Sequence, residues 1–208
     1  GGVAPHGRSA GLPRLPPSAR GAGDCPAPCR LQYMLEPTYF QAQWRLSRVI
    51  RQASSERALA TCSGEARLFA DGYDAEVGFG ILSKRWLNYV ESGEQVLEPD
   101  PPHRQVPLRA PFEKSFIFRH SLLQDRIDLC FDRRRGSGPD DEEDLLCSFD
   151  ISAASTGQVV RSSEHACQED RYSGQLLVHS WDAWELHYSI SGPGKDIVIE
   201  TRYRRVPP

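Results

Sequence analysis

The chain has 208 residues, 39% of them hydrophobic and 25% charged, with a formal net charge of −3. That is enough apolar mass for one substantial core and is not a disordered composition. The acidic balance argues against a general nucleic-acid binder, and no run approaches the ~18 apolar residues of a membrane-spanning helix.

The first residues differ from the rest. "GGVAPHGRSAGLPRLPPSARGAG" is mostly Gly, Pro, Ala and Ser, carries Arg8, Arg14 and Arg20, and has no acid before Asp24. Val3, Leu12 and Leu15 are its sizeable apolar side chains, too few to offset the entropy of ordering its backbone. An Arg-rich, acid-poor composition is also that of organelle transit segments. Residues 1–40 are therefore expected to form an extended arm that docks on another polypeptide through Arg8, Leu12, Arg14, Leu15 and Arg20. Cys25 and Cys29 form a CxxxC in this stretch with no second ligand pair nearby, and Cys62, Cys130, Cys147 and Cys167 are scattered. Free thiols in a reducing compartment are expected rather than zinc or a disulfide framework.

"EPTYFQAQ" has room for one helical turn. From Gln41 onward the pattern has period two. "WRLSRVIRQ" sets Trp44, Leu46 and Ile50 against Arg45, Ser47 and Arg51, with Arg48 and Val49 breaking the alternation. "CSGEARLFA", "AEVGFGIL", "KRWLNYV", "FEKSFIF", "RIDLCF", "LLCSFDI", "GQLLVHS", "WELHYSI" and "DIVIETRY" continue it. They are separated by turn signals such as "ADGY", "ESGE" and "SGPGK". No segment past residue 50 has a helical repeat. The reading is all-β: residues 41–208 form a single antiparallel up-and-down β-barrel of about ten strands, whose closure removes the edge-strand liability. Trp44, Leu68, Phe79, Ile127, Ile199 and Tyr203 are expected in its core.

"LEPDPPHRQVPLRAP" (97–111) has five prolines and reads as an extended surface loop. "DRRRGSGPDDEED" (132–144) sets three arginines against five acids across a Gly-Ser-Gly-Pro hinge and reads as a solvated loop tip.

No phosphate-cradling glycine loop and no GxSxG elbow is present. His165 and Cys167 share one strand face, where soft ligands could meet a metal, but no third and fourth ligand stand out, so no metal is expected. Inward residues of a small barrel either fill it or line a cavity. The candidates for lumen or rim are Trp44, Trp86, Phe116, Phe118, His165, Cys167, Tyr172, Trp184 and Tyr203. On the last strand Ile197, Ile199, Thr201 and Tyr203 share one face and Arg202 and Arg204 the other. The apolar face makes the better core, so the arginines should point outward and pair with acids such as Asp182 or Glu185.

Several stretches together resemble an uncharacterised lipocalin-like domain family. They are Trp44-Arg45-Leu46, Gly64-Glu65-Ala66, Arg126 to Phe131, Phe149-Asp150-Ile151, the HxCxxDxY of His165, Cys167, Asp170 and Tyr172, a Trp181–Trp184 hairpin, Gly192-Pro193-Gly194-Lys195-Asp196 and the closing Thr201 to Arg205. The resemblance spans about residues 40 to 206 and implies a closed up-and-down barrel. It departs at Ile197, where the family has an aromatic, and in both insertions. The family's activity is not established.

These readings favour a non-enzymatic accessory subunit of an organellar membrane complex, a photosystem or respiratory assembly of plastid or mitochondrion, soluble or peripheral to the membrane. Its partners would be other protein subunits, with no nucleic acid and no cofactor. The alternative is a barrel that binds a small apolar ligand: a pigment, lipid or fatty acid. A third reading is an enzyme using His165, Cys167 and Asp170.

Overall fold

Side-chain alternation decides the architecture. A computed structural model describes residues 37–55, 57–70, 84–100, 105–121, 125–132, 145–152 and 157–207. They comprise one helical turn, α1 (Pro37–Phe40), and eleven strands: β1 (Ala42–Gln52), β2 (Ala58–Phe69), β3 (Lys84–Leu97), β4 (Leu108–Ser121), β5 (Arg126–Phe131), β6 (Leu145–Asp150), β7 (Val159–Arg161), β8 (His165–Cys167), β9 (Asp170–Ser180), β10 (Ala183–Gly192) and β11 (Lys195–Arg205). The proposed arm with Arg8, Leu12, Arg14, Leu15 and Arg20, the expected strand at "AEVGFGIL" with Phe79, and the charged tip after Asp132 lie outside the described residues.

The strands form one antiparallel sheet in the order β6-β5-β4-β3-β2-β1-β11-β10-β9-β7, with β8 also paired to β9. First and last strands meet, from Trp44 opposite Arg205 to Gln52 opposite Ile197. At the other seam, β6 reaches the segment between β7 and β8 through a bridge from Phe149 to Ser162. There the Ser163 N–H donates to the Ser148 carbonyl at 3.3 Å. The result is a nearly closed barrel, as the period-two pattern predicts.

Two expectations change. Residues 108–111 are not loop: Leu108 pairs with Leu97 and Pro111 with Glu94 in a long β3–β4 hairpin. The β5 pairing begins at Phe116, so the first half of β4 is bonded on one side only, and a proline without an N–H fits there. Arg48 does not break the alternation of β1. It lies on the inward face with Trp44, Leu46 and Ile50 and is buried.

Gly64 and Gly93 are direct partners on β2 and β3. A Cβ on Gly64 would stand 2.1 Å from the Ser92 carbonyl oxygen, and one on Gly93 2.2 Å from that of Ser63. The strands touch backbone to backbone here, which accounts for glycine in "GEA".

One end of the barrel is packed solid. α1 lays Tyr39 and Phe40 against Trp44, Phe118 and Trp184. Trp184 stacks on Tyr203 with ring centroids 3.7 Å apart and planes 7° from parallel. Leu68, Ile127 and Ile199 are buried with them, as expected. Arg205 clamps this end: its guanidinium lies 4.5 Å from the Trp44 ring and 4.6 Å from the Trp181 ring, and it donates to the Tyr39 and Trp181 carbonyls.

Candidate functional site

Above the aromatic plug, the interior turns polar. Arg48 and Glu91, 3% and 0% exposed, form a two-pronged ion pair at 2.5 and 2.6 Å. Arg48 Nε donates to Thr201 Oγ1 at 2.8 Å. The Tyr89 hydroxyl donates to Glu91 and shares a 2.9 Å hydrogen bond with the Tyr203 hydroxyl. Burial alone would lower the Arg48 pKa; the bonds to Glu91 more than reverse it and raise it above the ordinary value. Desolvation pushes Tyr203 up to about 12 and raises Tyr89 and Tyr188 as well. This network is a fixed, fully engaged floor.

Beyond that floor the inward residues are no longer sealed. Ile50, Phe112, Phe116, Phe131, Ile190 and Ile197 pack against the core yet keep part of their surface accessible. This is the half of the interior where apolar inward side chains are reached by solvent, and Ile197 also lines a depression at the rim with Gln52, Leu59 and Lys195. Lys114 shares the inward face of β4 with Phe112, Phe116 and Phe118 and is exposed. Desolvation, then the Arg48 charge, lowers its pKa. The Cys62 thiol faces the same space, raised by burial.

The residues of HxCxxDxY line the rim. β8 and β9 form a tight hairpin with Cys167 opposite Asp170 and His165 opposite Tyr172, turning through Gln168 in the left-handed region at φ 57°. Asp170 forms an ion pair with Lys195 of the "GPGKD" turn. A Cβ on Gly192 would stand 2.2 Å from Asp170 Oδ1, so the glycine makes room for this pair. Two stretches far apart in sequence thus interlock at the open end.

The sequence-derived candidates therefore separate. Phe116, His165, Cys167 and Tyr172 belong to the open half or its rim. Trp44, Phe118, Trp184 and Tyr203 belong to the sealed plug. Trp86 belongs to neither: Leu87, Tyr89 and Glu91 take the inward positions of β3, which puts Trp86 outside, opposite Arg119. The sequence reading missed Arg48, Glu91 and Lys114, because a charged residue inside a barrel looks like an interruption or a surface position. Of His165, Cys167 and Asp170, the β8–β9 hairpin sets Cys167 opposite Asp170, and Asp170 is engaged by Lys195. Among the described residues no three His, Cys, Asp or Glu side chains converge as a metal site. Cys62, Cys130, Cys147 and Cys167 are free thiols.

Arg202 and Arg204 lie on the outer face. Arg202 lies 3.4 Å from Glu185, which also accepts from His179 and His187 at 3.0 and 2.8 Å. Arg204 is exposed opposite Arg45.

A family model described as "Family of unknown function (DUF6314)" matches residues 40–205. The chain belongs to that family. The match covers the barrel and leaves the N-terminal segment outside it. No curated protein matches the chain. Among solved structures, the S-type phycobiliprotein lyase CPES from Guillardia theta is similar, with a TM-score of 0.53 and 9% identity over 83% of this chain and 91% of that one. A redesigned β-barrel matches 82% of this chain and 95% of its own at 9% identity, but its TM-score of 0.35 carries no argument. At 9% identity the lyase shows shared fold alone: the lipocalin-like barrel. It nevertheless corrects one expectation. A missing familiar catalytic set had favoured a protein that is not an enzyme, yet a barrel of this fold bears an enzyme's name, so the fold gives no ground for that exclusion.

Proposed function

We propose that this DUF6314 barrel binds a small, largely apolar molecule, of the pigment or lipid class, in the open half of its lumen. The observation that carries this reading is the division of the interior. Tyr39, Phe40, Trp44 and Trp184 fill one half with no accessible surface to speak of, while Ile50, Phe112, Phe116, Phe131, Ile190 and Ile197 form apolar walls around accessible space in the other. Concave, mostly apolar sites with a few placed polar groups are the usual form of small-molecule sites. The phycobiliprotein lyase, a barrel of this fold whose name refers to pigment proteins, makes a pigment a sensible member of the probe set. An accessory-subunit role rests on the arm, outside the described residues, and forms no part of this reading.

The test is titration of the purified protein with the uncharged fluorescent probe N-phenyl-1-naphthylamine and, separately, with biliverdin. Saturable binding of at least one is expected. Ile197→Trp, which fills the lumen from an inward position, should abolish it while leaving the melting temperature within a few degrees. Failure of both probes to saturate, or undiminished binding by the Trp variant, would sink the reading.

A further inference from the structure

We infer that the lumen selects apolar molecules bearing one carboxylate, and that Lys114 is the residue that receives it. The inference rests on the proposed ligand site and adds the chemical class of the ligand.

The argument is a charge balance over the inward faces. Among the described residues of the open half, the inward charges are Arg48, Glu91 and Lys114, while the rim carries Asp170 and Lys195, Arg57 paired with Asp100, and Asp196, which accepts from the Ser54 N–H. Arg48 is bound through both terminal nitrogens to Glu91, and its Nε is held by Thr201, so its charge is already matched. Asp170 and Lys195 pair with each other at the rim. Lys114 is left over. It stands directly opposite Glu91 across the β3–β4 ladder, but Glu91 is already taken by Arg48 and Tyr89, and Lys114 has no ion pair among the described residues.

Its neighbours on the same strand face are Phe112 and Phe116, both partly accessible. Among the described residues Lys114 is thus an ammonium without an ion pair of its own on an apolar wall, above the Arg48–Glu91 pair. Desolvation and the Arg48 guanidinium disfavour its charge more than the shared Glu91 carboxylate favours it, a cost that an incoming carboxylate offsets. One cation admits one anionic group beside the aromatic and branched side chains. A dianion would leave a charge unmatched, and a neutral ligand would leave the ammonium so.

The experiment compares cis-parinaric acid with its methyl ester, which keeps the tail and removes the charge. The wild-type protein should bind the acid about tenfold or more tightly than the ester, the worth of one charge-assisted hydrogen bond in a partly dry site. Lys114→Met keeps the aliphatic stem and should bring the two affinities together, while Lys114→Arg should retain the preference. N-phenyl-1-naphthylamine should bind the Met variant at least as tightly as the wild type, which checks that the lumen is intact. Equal affinities for acid and ester in the wild type overturn the inference and leave the ligand-binding reading standing. So does a preference that survives Lys114→Met. If the neutral probe, acid and ester all fail to bind, the inference falls, and if biliverdin fails as well, the underlying reading falls with it. The wild-type comparison needs no variant, so a misfolded substitution does not remove the test.

Discussion

Arg48 and Glu91 meet across the barrel interior from β1 and β3, with both guanidinium nitrogens on both carboxylate oxygens and neither side chain more than 3% exposed. Desolvating two charges is tolerable only because each has a full set of partners, here Thr201 and Tyr89 as well as each other. Removing one partner strands the other. Arg48→Met or Glu91→Leu alone should each destabilise the barrel by about 3–5 kcal/mol in urea denaturation. The double substitution should cost less than the sum of the two. Additive losses would show that the pair is not acting as a unit.

The Gly64–Gly93 contact gives a backbone prediction. With a Cβ only 2.1 Å from the Ser92 carbonyl oxygen, Gly64→Ala cannot be absorbed by a side-chain rotation. The strands must separate, breaking ladder bonds between β2 and β3. The variant should lose about 3 kcal/mol or more, at or beyond the upper end of overpacking costs, and should appear largely in the insoluble fraction. A Gly64→Ala protein with an unchanged melting temperature would contradict this close approach.

How much of this was legible in the sequence depends on which chemistry faced which way. On β11 the alternation was complete: Ile199, Thr201 and Tyr203 lie inward and Arg202 and Arg204 outward, as the pattern requires. On β1 it was complete as well but disguised, because the third inward residue is Arg48. A pattern of apolar and polar residues cannot distinguish a buried ion pair from a break when the partner, Glu91, lies 43 positions away. β3 offered Trp86, Leu87, Tyr89 and Val90, apolar on both faces, and Asn88, its polar residue on the Trp86 face, is itself buried. On the second half of β4 and on β5 both faces are buried, with Ile117, Arg119, Asp128 and Cys130 on the outer face yet covered. Such strands have no alternation to read. Lys114 followed Glu113 in a stretch that reads as solvent-facing, and its placement above the floor came only with the register.

Arg205 closes the plugged end by contacts that lysine cannot reproduce. It spans Trp44 and Trp181 while donating to the carbonyls of Tyr39 and Trp181. A planar guanidinium stacks and donates at once; an ammonium does one or the other. Arg205→Lys should cost about 1–2 kcal/mol for the lost cation–π and hydrogen-bond contributions. It should also shift tryptophan emission to the red as Trp181, already 55% exposed, comes free. An unchanged emission maximum would mean that Arg205 does not hold this end.

Buried tyrosines and a buried thiol set the alkaline limit of the fold. Desolvation pushes the Tyr203 hydroxyl and the Cys147 thiol each to about 12 and raises Tyr89 and Tyr188 too. In the unfolded chain these groups ionise near their ordinary values, about 8.5 for Cys and about 10 for Tyr. Below those values both states hold the protons and stability does not vary on their account. Above them the unfolded state releases protons that the native state keeps, so the unfolded state is favoured as pH rises. The urea midpoint should hold steady from neutral pH to about 8.5, then fall through pH 11, with Cys147 contributing first and the tyrosines later. Tyr203→Phe should flatten the later part of the decline, whatever it does to stability at pH 7 through its lost bond to Tyr89. A midpoint constant to pH 11 in the wild type, or an unaltered slope in Tyr203→Phe, would show that these groups do not remain neutral inside the barrel.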